Sequence, residues 1–429
     1  MRGMVELFAS ARRRGRAQEV FIVSDPGPDP DDTKAILIAA MMHRQGDMRL
    51  RGVVANGSDC PRNRARLARC ILDLVGVKDV PVGVGSVGAP YTARPHEYSI
   101  ECYDDVPDAA LVDGHDLLIS SLRASSNGGL AIVLISSLRD FADAILSDPE
   151  LVVAKTRVVA IQAGLEEDPA APPSAWRPDS STNNLFDLRA AEIVYGFCFA
   201  HGVPMTVTSR NVVPRLPMQL ARSFAERTDC PVMRYLANAQ FLGLEGLWEK
   251  LCAGQLPARC TKEWFFSTFC GVDETTFVQR QLSSLDAESN IVPHLNGFVL
   301  PYDVVALMTI LPAMQDIFPT EAVTRVIPTE PPFSPTAASR GGVRGRWFGR
   351  GASAPPAPVA HLLLLRKEHA ISVQHVLLFL RETYHAVVDA TAGFVKDAAE
   401  QAAADDAYWR AGEEMEAEEA EAEAAQEAA

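Results

Sequence analysis

The chain has no uninterrupted apolar stretch of about 18 residues, the length a membrane-spanning helix needs, and no secretory signal. None of its 8 cysteines form a CxxC pair, so free thiols, a reducing compartment and a soluble, cytoplasmic protein are expected. A P-loop lysine is absent, as are the glycine and distal bidentate Glu of an EF-hand loop. Net charge is also scarce outside one segment. Of the formal −15, residues 397–429 carry −11, twelve acids against Arg410, which leaves about −4 for the rest. The acidity is mostly a tail, read as a solvated helix or disordered chain.

What is present is concentrated. Ser24 to Ala35 reads SDPGPDPDDTKA, with Asp25, Asp29, Asp31 and Asp32 inside eight positions. Before it, Val20 to Val23 is a short apolar run of the buried-strand kind. After it, Ala35, Ile36, Ile38, Ala39 and Met42 recur at helical spacing, with Asp31 or Asp32 placed to cap the first turn. The carboxylates therefore sit on a strand-to-helix turn, at the edge where open α/β sheets bind ligands. Carboxylates a few ångströms apart raise one another's pKa unless a cation offsets them, and oxygen-only donors select hard ions, calcium above all and magnesium second. Asp and Pro are also ordinary turn formers, so a plain turn with an N-cap Asp stands beside the metal-site reading.

The strand, the DPG turn, the Asp pair and the following AILIA helix resemble the amino-terminal signature of the inosine-uridine-preferring nucleoside hydrolase family, DxDPGxDDxxA. Val23 stands at the first Asp of that pattern, and two extra residues separate the DPG turn from the Asp pair. Aligned through the helix, Asp31 and Asp32 are the pair and Asp29 is an extra carboxylate. The similarity continues along the chain. LRGVVA (50–55) runs into Asn56, where the family has a ribose-contacting asparagine, and Ala131 to Ile135 ends where it has a threonine whose carbonyl binds calcium. STNNLFDLRAA (181–191) places Asn183 on a second ribose-contacting asparagine and Ser181 where the family has a sugar-binding glutamate. LPYDVVALM (300–308), followed by VTRVI (323–327), is similar to the closing helix and strand. There Asp303 matches the last ligand aspartate, and Tyr302 replaces the histidine some members use to protonate the leaving base. His115 in VDGHDLL resembles a family HG motif near the site mouth, and equally a surface or capping histidine.

Strands alternating with helical patterns from Val20 to Val207 agree with the fold this resemblance implies, a Rossmann-like open, mostly parallel α/β sheet with helices on both faces. The organisation expected is a basic segment 1–17, the α/β domain 18–335 with a helical insertion at about 215–285, a Gly/Arg/Pro linker 336–360, a helical segment 361–396 and the acidic tail 397–429. Trp248, Trp264, Phe265, Phe266 and Phe269 in the insertion read as core before they read as a base-stacking surface. Arg340, Arg344, Arg346 and Arg350 read as plain linker, and the arginines of the basic start leave organelle targeting open.

The function the resemblance implies is calcium-dependent hydrolysis of the N-glycosidic bond of a ribonucleoside, giving ribose and free base. Ca2+ would be held by Asp25, Asp31, Asp32, Asp303 and the Ile135 carbonyl, with Asp25 as general base and Tyr302 as proton donor. Asn56, Asn183, Ser181 and His115 would bind substrate. Val23, Ser181 and Tyr302 depart from the pattern and keep two alternatives in view, a catalytically degenerate binding or scaffolding protein and a hydrolase of a different glycoside. The partner expected is a small-molecule nucleoside or related riboside, with no nucleic acid and no membrane; homo-oligomerisation is left open.

Overall fold

A strand covered on both faces reads as a continuous apolar run, and Val20–Val23 and Leu130–Leu134 are such runs, with every side chain buried. They are the centre of the fold in this computed structural model, which describes residues 17–167, 176–227, 230–311, 321–323, 361–364, 380 and 387–388. The expected basic start through residue 16, the linker 336–360, the acidic tail and most of 361–396 lie outside the described residues.

Seven strands form a parallel sheet: β1 (Gln18–Ser24), β2 (Met48–Ala55), β3 (Val82–Val84), β4 (Leu111–Asp113), β5 (Leu130–Leu134), β6 (Thr156–Gln162) and β7 (Met205–Thr208). Two more, β8 (Glu321–Val323) and β9 (His361–Leu364), extend it beyond β7, in the order β8-β9-β7-β6-β5-β1-β2-β3-β4. Only β8 runs antiparallel to its neighbour. The sheet is the Rossmann-like α/β arrangement expected. The chain goes from β1 to β2 on one side, and after β4 it crosses back to β5 on the other. That reversal makes the carboxyl ends of β1 and β5 the topological switch point, the place where open α/β sheets take their ligands.

Helix α1 (Asp31–Gln45) follows β1 and is buried continuously from Asp31 to Met42. One apolar stripe does not explain burial all round, so a second layer must cover its outer face. Helix α2 (Pro61–Leu74) follows β2, and α3 (Gly114–Ala124) follows β4. The outer layer over α1 comes from later in the chain. An antiparallel pair, Leu216–Pro217 with Phe298–Val299, brackets helices Gln219–Glu226, α4 (Pro231–Cys252), Lys262–Phe269 and Glu274–Gln279. Helix α5 (Tyr302–Thr309) then packs on α1. Among the described residues, no helix is long and apolar enough to cross a membrane.

Three expectations are corrected. His361–Leu364, expected to open a helical segment, pairs with β7 in parallel, Leu362 against Thr206. Its run of leucines suits a buried strand as well as a helix, and β7 offers an edge whose backbone groups need partners. Cys70 of α2 and Cys102 form a disulfide, their Cα atoms 6.0 Å apart, although free thiols were expected; the 32-residue separation hides the pairing from any local motif. Neither Asp31 nor Asp32 caps α1, because Pro30 holds the N-cap position and the Asp29 carboxylate accepts the Asp31 N–H at 3.0 Å.

The insertion has its own aromatic centre. Trp248 is 1 % exposed, donates its indole N–H to the Asp286 carbonyl at 2.8 Å, and packs its ring 5.2 Å from Phe265 and 5.7 Å from Phe266. Trp248→Ala should cost about 3–5 kcal/mol of stability. A urea titration followed by circular dichroism checks this, and a midpoint equal to wild type would contradict the packing.

Candidate functional site

Three strand ends set the site. Ser24 pairs with Ala55 and Val23 with Leu134, so Asp25, Asn56 and Ile135 emerge together at the carboxyl edge. The Asn56 N–H donates to the Ser24 carbonyl at 3.0 Å and the Ile135 N–H to the Val23 carbonyl at 2.9 Å. The turn after β1 folds back so that Asp32 Oδ1 accepts the Ser24 hydroxyl at 2.6 Å and the Asp25 N–H at 2.8 Å. Asp31 faces two other elements. The Lys34 ammonium lies 3.6 Å from Asp31 Oδ1 and donates to Gln240 of α4 at 2.9 Å, and the amides of Tyr302 and Asp303 at the start of α5 favour the Asp31 carboxylate.

Asp25, Asp31, Asp32 and Asp303 are each less than one-tenth exposed. Burial pushes the Asp25 and Asp31 carboxyls up to about 6, with the charge of Asp29 adding to it and Arg64 and Lys34 opposing it. Asp32 and Asp303 are raised well above the ordinary range, by burial first and then by the neighbouring aspartates. Tyr302 is raised by burial and by Asp31, so its hydroxyl keeps its proton. The buried cations among them are Lys34 and Arg64. Counted as fully ionised, the four buried carboxylates would exceed the two cations by two negative charges, and the donors are all oxygen, as a hard cation requires. In donor type and charge the residues fit calcium. As placed, no group of three or more His, Cys, Asp or Glu among the described residues is arranged to hold a metal ion.

Other predicted residues are engaged elsewhere. Asn56 is fully buried and uses both ends of its amide: Nδ2 donates to the Ser137 carbonyl at 3.0 Å and to Asp140 at 2.5 Å, while Oδ1 accepts the Ser136 hydroxyl. Asn183 donates to the Gln162 carbonyl at 2.9 Å and side chain at 2.7 Å. Ser181 precedes the helix Thr182–Phe186, with its hydroxyl buried and without a hydrogen-bond partner among the described residues. Ile135 keeps its side chain in the core, and His115 lies half-buried in the first turn of α3, with no hydrogen bond to the aspartates. Val23 is wholly inside the sheet.

Sequence reasoning missed two residues. Asp140 anchors Asn56 and also accepts the Ser86 N–H at 2.8 Å and hydroxyl at 2.9 Å. Arg64 of α2 donates to Asp25 Oδ2 at 2.7 Å. A signal for the first existed: Gly83 to Gly88 has GxGxxG spacing, yet no α-helix follows it, and Ser86 turns to a carboxylate instead. Arg64 had none, being one arginine among four in its helix.

No protein-family model matches the chain, and no curated protein does. Among solved structures it is similar to the effector protein XOO4466, at 23 % identity and a TM-score of 0.65 over 92 % of this chain and 98 % of that one. The type III effector protein XopQ complexed with adenosine diphosphate ribose matches at 22 % identity and 0.65, over 92 % and 99 %. A purine-preferring ribonucleoside hydrolase from Gardnerella vaginalis matches at 17 % identity and 0.51, over 87 % and 99 %. The TM-scores show a shared, nucleoside hydrolase-like fold, and at these identities the fold alone. No family model ties the sequence to the inosine-uridine-preferring family in particular.

The raised carboxyls set a pH dependence. Asp31 binds its proton more tightly folded, at about 6, than at its ordinary 3.8, so its contribution to stability is full below 3.8 and is lost as pH rises through 6. With divalent ions chelated, Asp31→Asn should therefore gain stability relative to wild type between about pH 4 and about pH 7. Thermal melts at the two pH values measure the difference; a constant difference would contradict the shift.

Proposed function

We propose that the chain hydrolyses the N-glycosidic bond of a ribonucleoside or related riboside at the carboxyl edge of β1 and β5. The observation that carries this reading is the burial of four carboxyl groups, Asp25, Asp31, Asp32 and Asp303, beside two cations, Lys34 and Arg64, at the topological switch point. Asp31, Asp32 and Asp303, with the Ile135 carbonyl, would hold calcium. Once bound, the ion would supply the missing charge, grip the sugar diol and make a water acidic. Asp25 is the general base. Arg64 occupies its Oδ2, and its side chain remains 12 % exposed, so the carboxylate can still take a proton from a water. Tyr302 keeps its proton, which suits it to hydrogen-bond a departing base more than to surrender a proton to it.

Binding without turnover is the second reading, favoured by one observation: Asn56, expected on the sugar, has both ends of its amide in use. Because the XopQ neighbour was seen with adenosine diphosphate ribose, a riboside of that size belongs in the test beside purine and pyrimidine nucleosides. Release of free base or sugar is followed with calcium and with chelator. Turnover should need calcium, and Asp32→Ala should lower it by at least the roughly 10–100-fold typical of changes around a metal. Turnover indifferent to chelator and to Asp32→Ala would sink the metal reading. Saturable binding with no turnover on any riboside would establish the second reading.

A further inference from the structure

Residues 86–106, between β3 and β4, carry one regular piece, the 3₁₀ turn Pro95–Tyr98. A connection that long without a helix or strand is uncommon in a compact fold unless it covers or binds something. This one crosses the aspartate turn as a strap. The Tyr98 ring lies against Gly27, where φ is +139° and an added Cβ would come within 3.3 Å of it. Next to it Glu97 is fully buried, and its Oε1 accepts the Tyr91 hydroxyl at 2.5 Å and the Arg94 N–H at 3.0 Å. Helix α4 clasps the strap from one side without a covalent bond: the Tyr235 hydroxyl donates to the Glu97 carbonyl at 2.7 Å, and Arg94 and Glu101 form ion pairs with Glu249 and Arg234. Helix α2 holds the other side covalently, through Cys70–Cys102.

We propose that Cys70–Cys102 is a redox switch that sets how tightly the strap covers the turn carrying Asp25. Cys102 has φ +68°, a conformation that an L residue keeps only where its surroundings fix it, and the crosslink fixes it here. Cys70 is fully buried and Cys102 half-buried, so a reductant meets the Cys102 sulfur first. Cys70 Sγ also lies 2.8 Å from the Glu101 carbonyl, an acceptor ready for the thiol proton once the bond is broken. Both redox states are thus provided for. The reductant is a dithiol. Its thiolate attacks the Cys102 sulfur and displaces the Cys70 thiolate; its second sulfur then displaces Cys102. The dithiol leaves as its own disulfide, two electrons and two protons having passed to the two cysteines. Reduction leaves the α2 side with noncovalent contacts alone, such as Arg64 at 5.6 Å from the centre of the Tyr91 ring. The ion pairs to α4 are solvent-exposed and hold little by themselves, so the cover loosens. The switch concerns the cover and not the chemistry beneath it, and stands whether or not the chain is a hydrolase.

Two measurements on the full chain test this. After oxidation with glutathione disulfide, alkylation in denaturant followed by peptide mass mapping should leave Cys70 and Cys102 unlabelled, and dithiothreitol should open both to label. Hydrogen–deuterium exchange then reads the strap. Amides within residues 91–105 should exchange about tenfold or more faster in the reduced than in the oxidised protein, because a crosslink that closes a loop suppresses local opening. Those of α1 from Ala35 to Met42 should keep their rates, and reoxidation should restore the slow rates of the strap. Cys102→Ser should exchange as the reduced wild type does, with or without dithiothreitol; if that variant does not fold, the two states of the wild type decide. Label on Cys70 and Cys102 before reduction overturns the inference. Equal strap rates in the two states also overturn it, as does loss of protection in α1 alongside the strap, which would make the bond a purely structural one.

Discussion

Burying like charges is the constraint on which this structure turns. Asp25, Asp31, Asp32 and Asp303 are withdrawn from water within reach of one another, and two cations only partly offset them. The second layer over α1 contributes to this burial: α5 brings Asp303 to the cluster, and α4 brings Gln240 to fasten Lys34. The elements that complete the core therefore also complete the charge problem. This is the arrangement expected where function, and not stability, selects the residues.

Topology decides where that happens. With β2 on one side of β1 and β5 on the other, the chain reverses beside the strand that delivers Asp25, so three loops can meet there without crossing. The register brings Asp25 level with Asn56, and Ile135 level with Ser24, one residue earlier. Around this shared edge the molecule departs from the expected pattern in a consistent direction. Asn56 is locked by Asp140, Ser136 and Ser137, Asp25 is held by Arg64, and Val23 is sealed inside the sheet. Each change replaces a possible ligand contact with an internal one.

Much of the fold was legible because its signals are local. The apolar run Val20–Val23, the turn residues after it and the helical spacing from Ala35 to Met42 identify β1 and α1 directly, and the same logic finds β5 and β6. His361–Leu364 was not legible, since four residues of that composition have no preferred period and their state was decided by the open edge of β7. Asp29 read as a spare carboxylate until the turn geometry showed it accepting the Asp31 N–H. The four arginines of α2 look alike in sequence. Arg62 and Arg66 pair with Asp108 at the surface, while Arg64 and Arg69 point inward, a difference set by the face the helix turns to β2 and its loops.

By itself, the sequence determined that a strand, an acidic turn and a helix follow one another near the start of this chain, because hydrophobic period and turn chemistry act over a few residues. It also brought Asp303 into view through the likeness of one later segment. Only the tertiary structure decided which charges face which: that Arg64 answers Asp25, that Lys34 answers Asp31, and that Asn56 spends its amide inside the protein. Coulomb and hydrogen-bond energies depend on separations of a few ångströms between residues far apart in the chain, and the packing of helices on the sheet sets those separations.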